Sequence, residues 1–368
     1  MDYLRYYLAT AVVLCGFVGF YWGGYWVFLG VGTFIPLLIM DTLLPYDHRP
    51  REIRYPILAD IPLYLHVLLM FMVYASYIGW AASAGSSTVP ITAGQWLGAV
   101  LTLGWLGAVP TLPVNHELMH RRGRIPRACA TILGTFYADP TRDVAHVHTH
   151  HIHLATPKDS DTARRGETVY GFVFRATAGS FKDFFQLEKE SCTRRNAGLF
   201  SPRGRILRAL LQVAILLGAC AWFAGSAAAL AALAGTIVAK LLVEMFNYYQ
   251  HYGLVRVLGS NYGQQHLWNH LKPVSRQLAF EITNHNDHHM DSYLPFYRLQ
   301  PKVEGPQMPS IFLCFLAGLI PPLWFSYIAQ PRLKNWDLEH ATGEERELAR
   351  EANRVAHWPD WLDASSAN

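Results

Sequence analysis

Charged residues are scarce in this chain of 368 residues. Asp, Glu, Lys and Arg make up 16% of it, against about a quarter of a typical soluble domain, whereas 51% of the residues are hydrophobic. The five cysteines are scattered without a Cys-x-x-Cys pair, which argues against an iron–sulfur cluster, a zinc ribbon or a disulfide framework. No Gly-x-Gly-x-x-Gly motif is present, so we expect no nicotinamide or flavin bound by this chain itself. These absences predict a membrane protein whose chemistry uses neither cysteine nor a nucleotide of its own.

Six apolar stretches approach the ~20 residues that a helix needs to cross a bilayer. They predict one all-α domain over 1–368, an integral membrane bundle with a helical cap. The spans fall roughly at 4–22, 24–44, 60–82, 94–114, 206–223 and 226–250. A further apolar run, 309–329, contains Pro321 and Pro322 and is expected to be interfacial or re-entrant, with a seventh span as the alternative.

The basic residues lie in alternate connections between these spans. Arg49, Arg51 and Arg54 follow the second span and Arg121 to Arg127 follow the fourth, whereas the turns near Gly23, at 84–93 and near Gly225 contain no Lys or Arg. The positive-inside rule therefore predicts a multi-pass protein of the cell inner membrane with both termini in the cytoplasm. The segments 115–203 and 251–368 would form the cytoplasmic cap. A net charge of +4 is modest and topology explains it, so we expect no nucleic-acid partner.

Two cap segments have helical character. Aromatic and basic residues are interspersed over 166–195, as in a helix that lies among lipid headgroups. The charged segment Glu344–Arg354 is also expected to be helical.

Four histidine clusters dominate the polar part of the chain. They are His116-Glu-Leu-Met-His120, His146-x-x-x-His150-His151, Asn247-Tyr-Tyr-Gln-His251-Tyr-Gly and His285-x-x-His288-His289. Histidines three or four residues apart share a helix face, and adjacent ones point about 100° apart, so a pair can serve two metals or close one site from two sides. Nine imidazoles are too many for one ion, so we expect two ions with four or five ligands each. The candidate ligands are His116, His120, His146, His150, His151, His251, His285, His288 and His289.

Other interpretations of these histidines stay open from spacing alone. His116-Glu117-x-x-His120 is also the zinc protease pattern, and a lone histidine such as His251 commonly caps a helix C-terminus. His266 and His270 have ligand spacing too, whereas His148 and His153 are ligands or outer residues. Neutral ligands leave the ions' charge unbalanced, so carboxylates are expected to orient the rings from outside. The candidates are Asp143, Glu117, Glu244, Asp287 and Asp291, each with a surface charge as the alternative.

These clusters resemble the integral-membrane non-haem di-iron superfamily of alkane hydroxylases, fatty-acid desaturases and sterol oxidases. Within it, the chain resembles the membrane hydroxylase components of xylene monooxygenases. The motifs include Gly107-x-Val-Pro-Thr-Leu-Pro-Val-x-His-Glu-Leu-Met-His-Arg-Arg122, Ala145-His-Val-x-Thr-His-His151, Thr156-Pro-x-Asp-Ser-Asp-Thr162 and Glu281-Ile-Thr-Asn-His285. Gln250 is a departure from alkane enzymes, which usually carry Glu there, and it shifts weight toward the aromatic-methyl branch.

The resemblance implies two Fe ions, O₂ as co-substrate and hydroxylation of a toluene or xylene methyl group. Terminal hydroxylation of n-alkanes is the alternative, and fatty-acyl desaturation is a weaker one. The hydrophobic substrate would enter from the bilayer. A separate NADH-dependent reductase with a flavin and a [2Fe–2S] centre would supply electrons, whereas alkane enzymes use rubredoxin. The basic cluster Arg121–Arg127, with Arg194 and Arg195, is suited to anchoring at anionic membrane lipid or to docking an acidic partner.

Overall fold

The computed structural model describes residues 2–83 and 90–365, and the regular secondary structure in this part of the chain is helical. The predicted loop at 84–93 therefore lies largely outside the described residues. The membrane half contains α1 (Tyr7–Trp22), α2 (Leu29–Gly32), α3 (Phe34–Leu43), α4 (Pro56–Ser83), α5 (Ala93–Ala108), α6 (Thr111–His120) and, further along, α11 (Arg205–Gln250). The cap before α11 contains α7 (Arg124–Thr135), α8 (Arg142–Ala145), α9 (His151–His153) and α10 (Val169–Arg194). The cap after α11 contains α12 (Pro273–Leu278), α13 (His285–Met290), α14 (Ile311–Gly318), α15 (Pro321–Leu323), α16 (Gln330–Glu339), α17 (Gly343–Val355) and α18 (Trp361–Ser365).

Shorter turns of other helical types connect these elements. The 3₁₀ helices are Asp2–Tyr6, Gly24–Phe28, Gln264–His266 and Phe296–Arg298, and the π-helices are His146–His150 and Trp324–Ala329. Among the described residues there is no strand, only an isolated bridge between Asn269 and Gln307. The all-α prediction is confirmed.

Five continuous helical stretches are long and apolar enough to cross a membrane. They are Asp2–Trp22, Gly24–Leu43, Pro56–Ser83, Ala93–His120 and Arg205–Gln250. The first four correspond to the first four predicted spans. The fifth contains both of the remaining predicted spans, 206–223 and 226–250.

The long helix α11 folds back on itself at Gly225. Its first residue, Arg205, pairs with Asp143 at 2.6 Å, while Glu244 near its other end pairs with the adjacent Arg142 at 3.1 Å. Along a straight helix Arg205 and Glu244 would lie about 58 Å apart. Gly225 has φ 85° and ψ 174°, which breaks the helix and suits a residue without Cβ. Helix α11 is thus a hairpin of two arms, with the turn where the sequence predicts one.

Polar side chains between the membrane helices bond to the protein itself. Thr102 Oγ1 donates to the carbonyl of Val27 at 2.6 Å, and Tyr77 OH donates to the carbonyl of Ala228 at 2.6 Å. Such internal partners replace the water that a bilayer lacks. They tie α4 and α5 to their neighbours and hold the bundle on which the cap rests.

The two predicted cap helices are present as α10 and α17. The apolar run 309–329 is not one continuous helix: α14 ends at Gly318, and a second helical stretch starts at Pro321 and passes through the π-helix into α16. Prolines at the start of this stretch fit the first turn of a helix, where a missing N–H costs nothing.

A buried polar cluster joins the C-terminal tail to the cap. The guanidinium of Arg165 bonds to Asp337 at 2.6 and 2.7 Å and to Asn353 Oδ1 at 2.8 Å. Trp361 Nε1 donates to the same carboxylate at 2.7 Å. Because the side chains of Arg165 and Asp337 are both fully buried, each depends on the other for charge compensation.

Candidate metal centre

All nine predicted ligands converge on one buried site in the cap. Eight of them form two groups whose nitrogens lie within 4.8 Å of one another inside each group, and the ninth, His285, places Nε2 3.1 Å from that of His251. The first group is His116, His120, His146, His151 and His288; the second is His150, His251 and His289. The groups are contiguous, since the rings of His151 and His289 stack with centroids 4.2 Å apart.

The spacing of the imidazole nitrogens matches what a shared ion requires. His146 Nε2 lies 3.0 Å from His116 Nε2 and 3.2 Å from His151 Nε2. Two nitrogens bound to one ion at about 2.1 Å and at right angles lie about 3.0 Å apart. Neutral imidazoles stabilise each other little at this distance, so their convergence indicates a site for a cation between them.

Several of these nitrogens have no partner in the described part of the chain. Both ring nitrogens of His120 and of His289 are buried without a hydrogen bond, as is Nε2 of His288. A buried polar atom without a partner costs roughly 1–3 kcal/mol. Metal coordination removes that cost, so the residues present fit a metal centre.

Burial keeps the imidazoles of the cap neutral, which is the form that binds metal. Desolvation, and then the proximity of other imidazoles, holds the pKa well below the ordinary value of 6.5 for His146, His151, His251, His285, His288 and His289. His150 is the exception. Burial disfavours its charged form too, but the carboxylate of Asp159 outweighs burial and raises the pKa of His150.

Asp159 is a site residue that the sequence analysis did not assign. Its Oδ2 lies 2.9 Å from Nδ1 of His150 and accepts a bond from Thr162 Oγ1 at 2.6 Å, while Oδ1 accepts from the backbone N–H of Asp161 at 3.0 Å. A carboxylate held this way fixes the ring and leaves Nε2 of His150 for a metal. The sequence motif Thr156-Pro-x-Asp-Ser-Asp-Thr162 contains both Asp159 and its hydrogen-bond donor Thr162, and it could have indicated this carboxylate.

Of the five carboxylates predicted to orient the rings, four contact basic side chains and one contacts a backbone N–H. Glu117 pairs with Arg121 at 2.6 Å, Asp143 with Arg205 at 2.6 Å, Glu244 with Lys240 at 2.7 Å and Asp287 with Lys302 at 3.2 Å, and Asp291 accepts the backbone N–H of Tyr293 at 3.1 Å. Across residues 2–83 and 90–365 none of the five is hydrogen-bonded to a histidine of the site. Within the part of the chain that the structure describes, Asp159 is the one carboxylate hydrogen-bonded to a histidine of the site.

Replacing Asp159 with Asn is expected to lower iron content or kcat about 10–100-fold. The amide cannot serve as a charged acceptor, so His150 loses its fixed orientation. Asp287→Asn is the matched control, because its carboxylate bonds to Lys302 and the backbone of Gln300, and it should change both quantities less than twofold. Iron analysis and single-turnover rates would check this; equal losses in the two variants would contradict it.

A widened helical turn decides how the second cluster divides. Residues His146–His150 form a π-helix, in which each backbone hydrogen bond spans five residues instead of the four of an α-helix. His146 and His151 therefore share the first group, while His150 contributes to the second. His146 and His150 were expected to share a helix face, but the π-helix places them in different groups. Adjacent histidines do divide between the two groups: His150 and His151 do so, and so do His288 and His289.

The segment after α11 aims His251 into the site. Gly253 has φ 68° and its N–H donates to the carbonyl of Ala163 at 2.8 Å, so the chain turns sharply just after the ligand. A Cβ at this position would come 2.6 Å from Leu333 Cδ1. Glycine is required here for both its conformation and its size.

The remaining histidines of these segments lie outside both groups. His266 Nε2 bonds to Glu345 at 2.6 Å and His270 Nδ1 to the carbonyl of Pro309 at 2.8 Å. His148 is exposed and His153 is partly buried. Their spacing resembles that of ligands, but their contacts are structural or with solvent.

A buried charge network lies beside the second cluster. Arg142 is within 3.1 Å of Glu244, 3.4 Å of Asp161 and 3.8 Å of Asp139. Lys240 pairs with Asp139 at 2.6 Å and with Glu244 at 2.7 Å. Glu244 thus contributes to this network rather than bonding directly to a ring.

A small cavity of about 10 Å³ lies beside the metal centre. Its apolar lining comes from Leu112, Phe246 and Ile282, and four ligands face it: His116, His146, His251 and His285. Gln250 also lines it, and the Nε2 of its buried side chain has no partner among the described residues. The cavity touches both histidine groups, and three of its ten lining residues are hydrophobic.

Comparison with known proteins identifies the family. Residues 94–311, more than half of the chain, match the sequence pattern of the fatty acid desaturase family. The chain is also 47% identical over 365 residues to the xylene/toluene monooxygenase hydroxylase component of Pseudomonas putida, which covers 99% of this chain and 98% of that protein. The chain belongs to the fatty acid desaturase family.

More distant relatives in the fatty acid desaturase family are alkane 1-monooxygenases. Alkane 1-monooxygenase 1 of Pseudomonas aeruginosa is 29% identical over 78% of this chain and 76% of its own length. Alkane 1-monooxygenase 2 of Alcanivorax borkumensis is 25% identical over 70% and 68%. This family member is therefore a membrane monooxygenase of the xylene and alkane type, and the zinc protease interpretation of His116 and His120 is wrong.

Proposed function

We propose that this protein hydroxylates the methyl group of toluene- or xylene-type hydrocarbons to a benzylic alcohol. The observation that carries the proposal is the near full-length identity to a xylene/toluene monooxygenase hydroxylase component. One oxygen atom of O₂ enters the methyl C–H bond and the other leaves as water, which consumes a pair of electrons and a pair of protons. Each part of this reaction has a counterpart among the described residues.

The nine histidines would hold two iron ions, five at the first position and four at the second. Iron bound there supplies the redox chemistry that activates O₂. The protein's own part is to present neutral imidazoles and to fix His150 through Asp159. Four buried carboxylates against three buried cations near the site offset part of the positive charge that divalent ions bring; the carboxylates belong to Asp139, Asp159, Asp161 and Glu244, and the cations to Arg142, Lys240 and Arg256.

The inner face of the site carries the hydrophobic side chains of Leu112, Phe246 and Ile282 beside four of the histidines, which favours a hydrocarbon substrate. A fatty-acyl substrate would need a cation to bind its carboxylate. The cationic side chain that lines this face is Arg142, and its guanidinium is already engaged by Asp161 and Glu244. Shape and apolar contact would position the substrate, so selectivity among similar hydrocarbons should be loose. Hydrophobic walls would also keep water away from the reacting atoms.

Cells that express this chain with a matching ferredoxin-type reductase are expected to convert toluene to benzyl alcohol without hydroxylating the ring. The benzylic C–H bond is the weakest in the molecule, so it needs least help from positioning. Gas chromatography of culture extracts would identify the product, with a His289→Ala strain as the blank. Production of 1-octanol from octane with rubredoxin, and no benzyl alcohol from toluene, would instead assign the chain to alkane hydroxylation.

Electrons would enter through the cytoplasmic surface above the histidines. A cleft of about 750 Å³ opens there, with His151 in its wall beside Ile152 and Met290. Ile152 follows His151, Met290 follows His289, and both are more than half exposed, 57% and 51%. Lys158 lines the same cleft and is exposed, and the buried guanidinium of Arg256 lies beneath it, donating to the carbonyls of Leu154 and Ile152. An apolar surface beside positive charge is suited to docking a reductase whose iron–sulfur domain is acidic.

Met290→Glu is expected to raise the KM for the reductase about tenfold or more at low salt, because a new carboxylate repels an acidic partner. Iron content should not change. Phe200→Glu is the control: Phe200 is 62% exposed and is not among the residues that line this cleft. Steady-state rates at varied reductase concentration would measure the effect, and an unchanged KM would place electron entry elsewhere.

We further propose that both termini and the metal centre face the cytoplasm at the inner membrane. Basic residues at the ends of the membrane helices, including Arg121, Arg205 and Arg208, support this orientation because they lie on the side of the cap. The reductase and its NADH would then be on the same side as the cleft.

A further inference from the structure

Four arginines line one cavity where the membrane bundle meets the cap. The cavity measures about 460 Å³ and lies between the beginning of α7 and the beginning of α11. Arg124 and Arg127 come from α7, and Arg205 and Arg208 from α11. None of these side chains takes part in the proposed metal centre or in the reductase cleft.

The positive charge of this cavity is largely unbalanced. Asp143 is its only acidic lining residue, and that carboxylate is held by Arg205 at 2.6 and 2.8 Å. Arg127 and Arg208 donate only to the carbonyls of the glycines that precede their helices, at 2.9 and 3.1 Å. Arg124 has no hydrogen-bond or ion-pair partner within the described ranges. Three guanidinium groups are thus available to an anion.

The helix ends add to the same field. Each arginine pair lies in the first turn of its helix, where the backbone N–H groups already give the helix a positive end. Neither first turn contains an acidic residue, and neither preceding glycine supplies a side-chain cap. Arginine is unfavourable in the first turn unless an anion compensates it, so this placement points to a negatively charged ligand.

The face of α11 that carries the arginines continues as an apolar surface. Ala209 and Gln212 line the cavity one turn on, and Ile215 and Trp222 follow at helical spacing with 69% and 84% exposure. Because this arm of α11 is a membrane helix, those side chains face lipid rather than water. Gln212 is the polar exception, and its Oε1 is buried without a partner among the described residues.

We propose that this cavity binds the headgroup of an anionic phospholipid, with the arginines on its phosphate and its acyl chains along the exposed face of α11. Guanidinium groups bind phosphate with charge-assisted hydrogen bonds. An acidic protein would satisfy the arginines as well, but it would leave Ile215 and Trp222 without a matching surface. A lipid matches both the charged and the apolar part.

Native mass spectrometry of the full-length protein in detergent would test this. We expect dioleoyl phosphatidylglycerol to bind the wild type far more tightly than dioleoyl phosphatidylcholine. Arg124→Gln combined with Arg208→Gln should weaken phosphatidylglycerol binding roughly 30-fold, at about 1 kcal/mol for each arginine. The corresponding Lys double variant should retain most of the affinity. Arg54→Gln with Arg194→Gln, which removes two exposed arginines elsewhere, should change it less than twofold.

Several results would overturn the proposal. They are equal affinity for the two lipids, an equal loss in the Arg54 and Arg194 control, displacement of the lipid by millimolar inorganic phosphate, and unchanged lipid binding with a raised KM for the reductase. The last result would assign the cavity to the electron donor. Circular dichroism would verify that each variant is folded, and the lipid-binding measurements do not depend on the proposed hydroxylation.

Discussion

Replacing His289 with Ala is expected to lower turnover more than about 100-fold and to reduce bound iron. His289 is 1% exposed, both of its ring nitrogens lack a partner among the described residues, and its ring contacts those of His150 and His151. Since residues that merely orient a ligand cost about 10–100-fold, loss of a ligand should cost more. Iron per chain and the rate of benzylic alcohol formation would measure it.

His148→Ala is the matched control for that experiment. His148 lies within the second cluster but is exposed, so iron content and rate should change less than twofold. Full iron content and activity in His289→Ala would refute the ligand assignment. Stoichiometric zinc without iron in active wild-type protein would refute the choice of metal.

The second large effect is expected from Arg165→Met, which should lower the free energy of unfolding by about 3–5 kcal/mol. The substitution leaves the carboxylate of Asp337 buried without its cation, and that cost exceeds the value of the pair itself. The tail helices α16 to α18 should then detach more readily, because Asn353 and Trp361 bond to the same cluster. Loss of monodisperse protein on heating in detergent would report the change.

Arg164→Met is the control, because Arg164 is exposed and its replacement should change stability by less than 0.5 kcal/mol or so. Combining Arg165→Met with Asp337→Asn should recover part of the loss, since the uncompensated charge is removed. If the two single arginine variants were equally stable, the buried cluster would not be what holds the tail.

Local sequence signals predict the membrane half of this fold well. Apolar runs locate the helices because a span must be continuous and about 20 residues long. Gly225 marks the turn within α11, because glycine adopts the backbone conformation that breaks a helix more readily than the apolar residues around it. By contrast, Pro321 and Pro322 mark an interruption within 309–329 but leave its form open, because a proline can kink a helix or start a new one; the structure has α14 end at Gly318 and a second helical stretch start at Pro321.

The histidines could be found because their spacing carries their chemistry. The acidic partners could not be found in the same way, because a carboxylate pairs with whichever cation or ring the fold brings near it. Glu117 and Glu244 have a basic residue four positions away, Arg121 and Lys240, a spacing that favours pairing within the helix. Asp159 has no such neighbour, and its bond to His150 depends on the loop that folds back after α9.

The π-helical turn gives the metal centre an approximate two-fold symmetry. In the second cluster the first and last histidines, His146 and His151, share one group and His150 crosses to the other. The last cluster mirrors this with one residue fewer: His285 and His289 lie together, with ring centroids 4.5 Å apart, and His288 crosses over. The π-helical turn accommodates the one extra residue between His146 and His151. Each position therefore receives three equivalent histidines from these two clusters, although the spacings differ. What breaks the symmetry is the third set of ligands, a pair from α6 on one side and His251 alone on the other. The two ions would therefore be inequivalent, and the less crowded one has more room for an exogenous molecule.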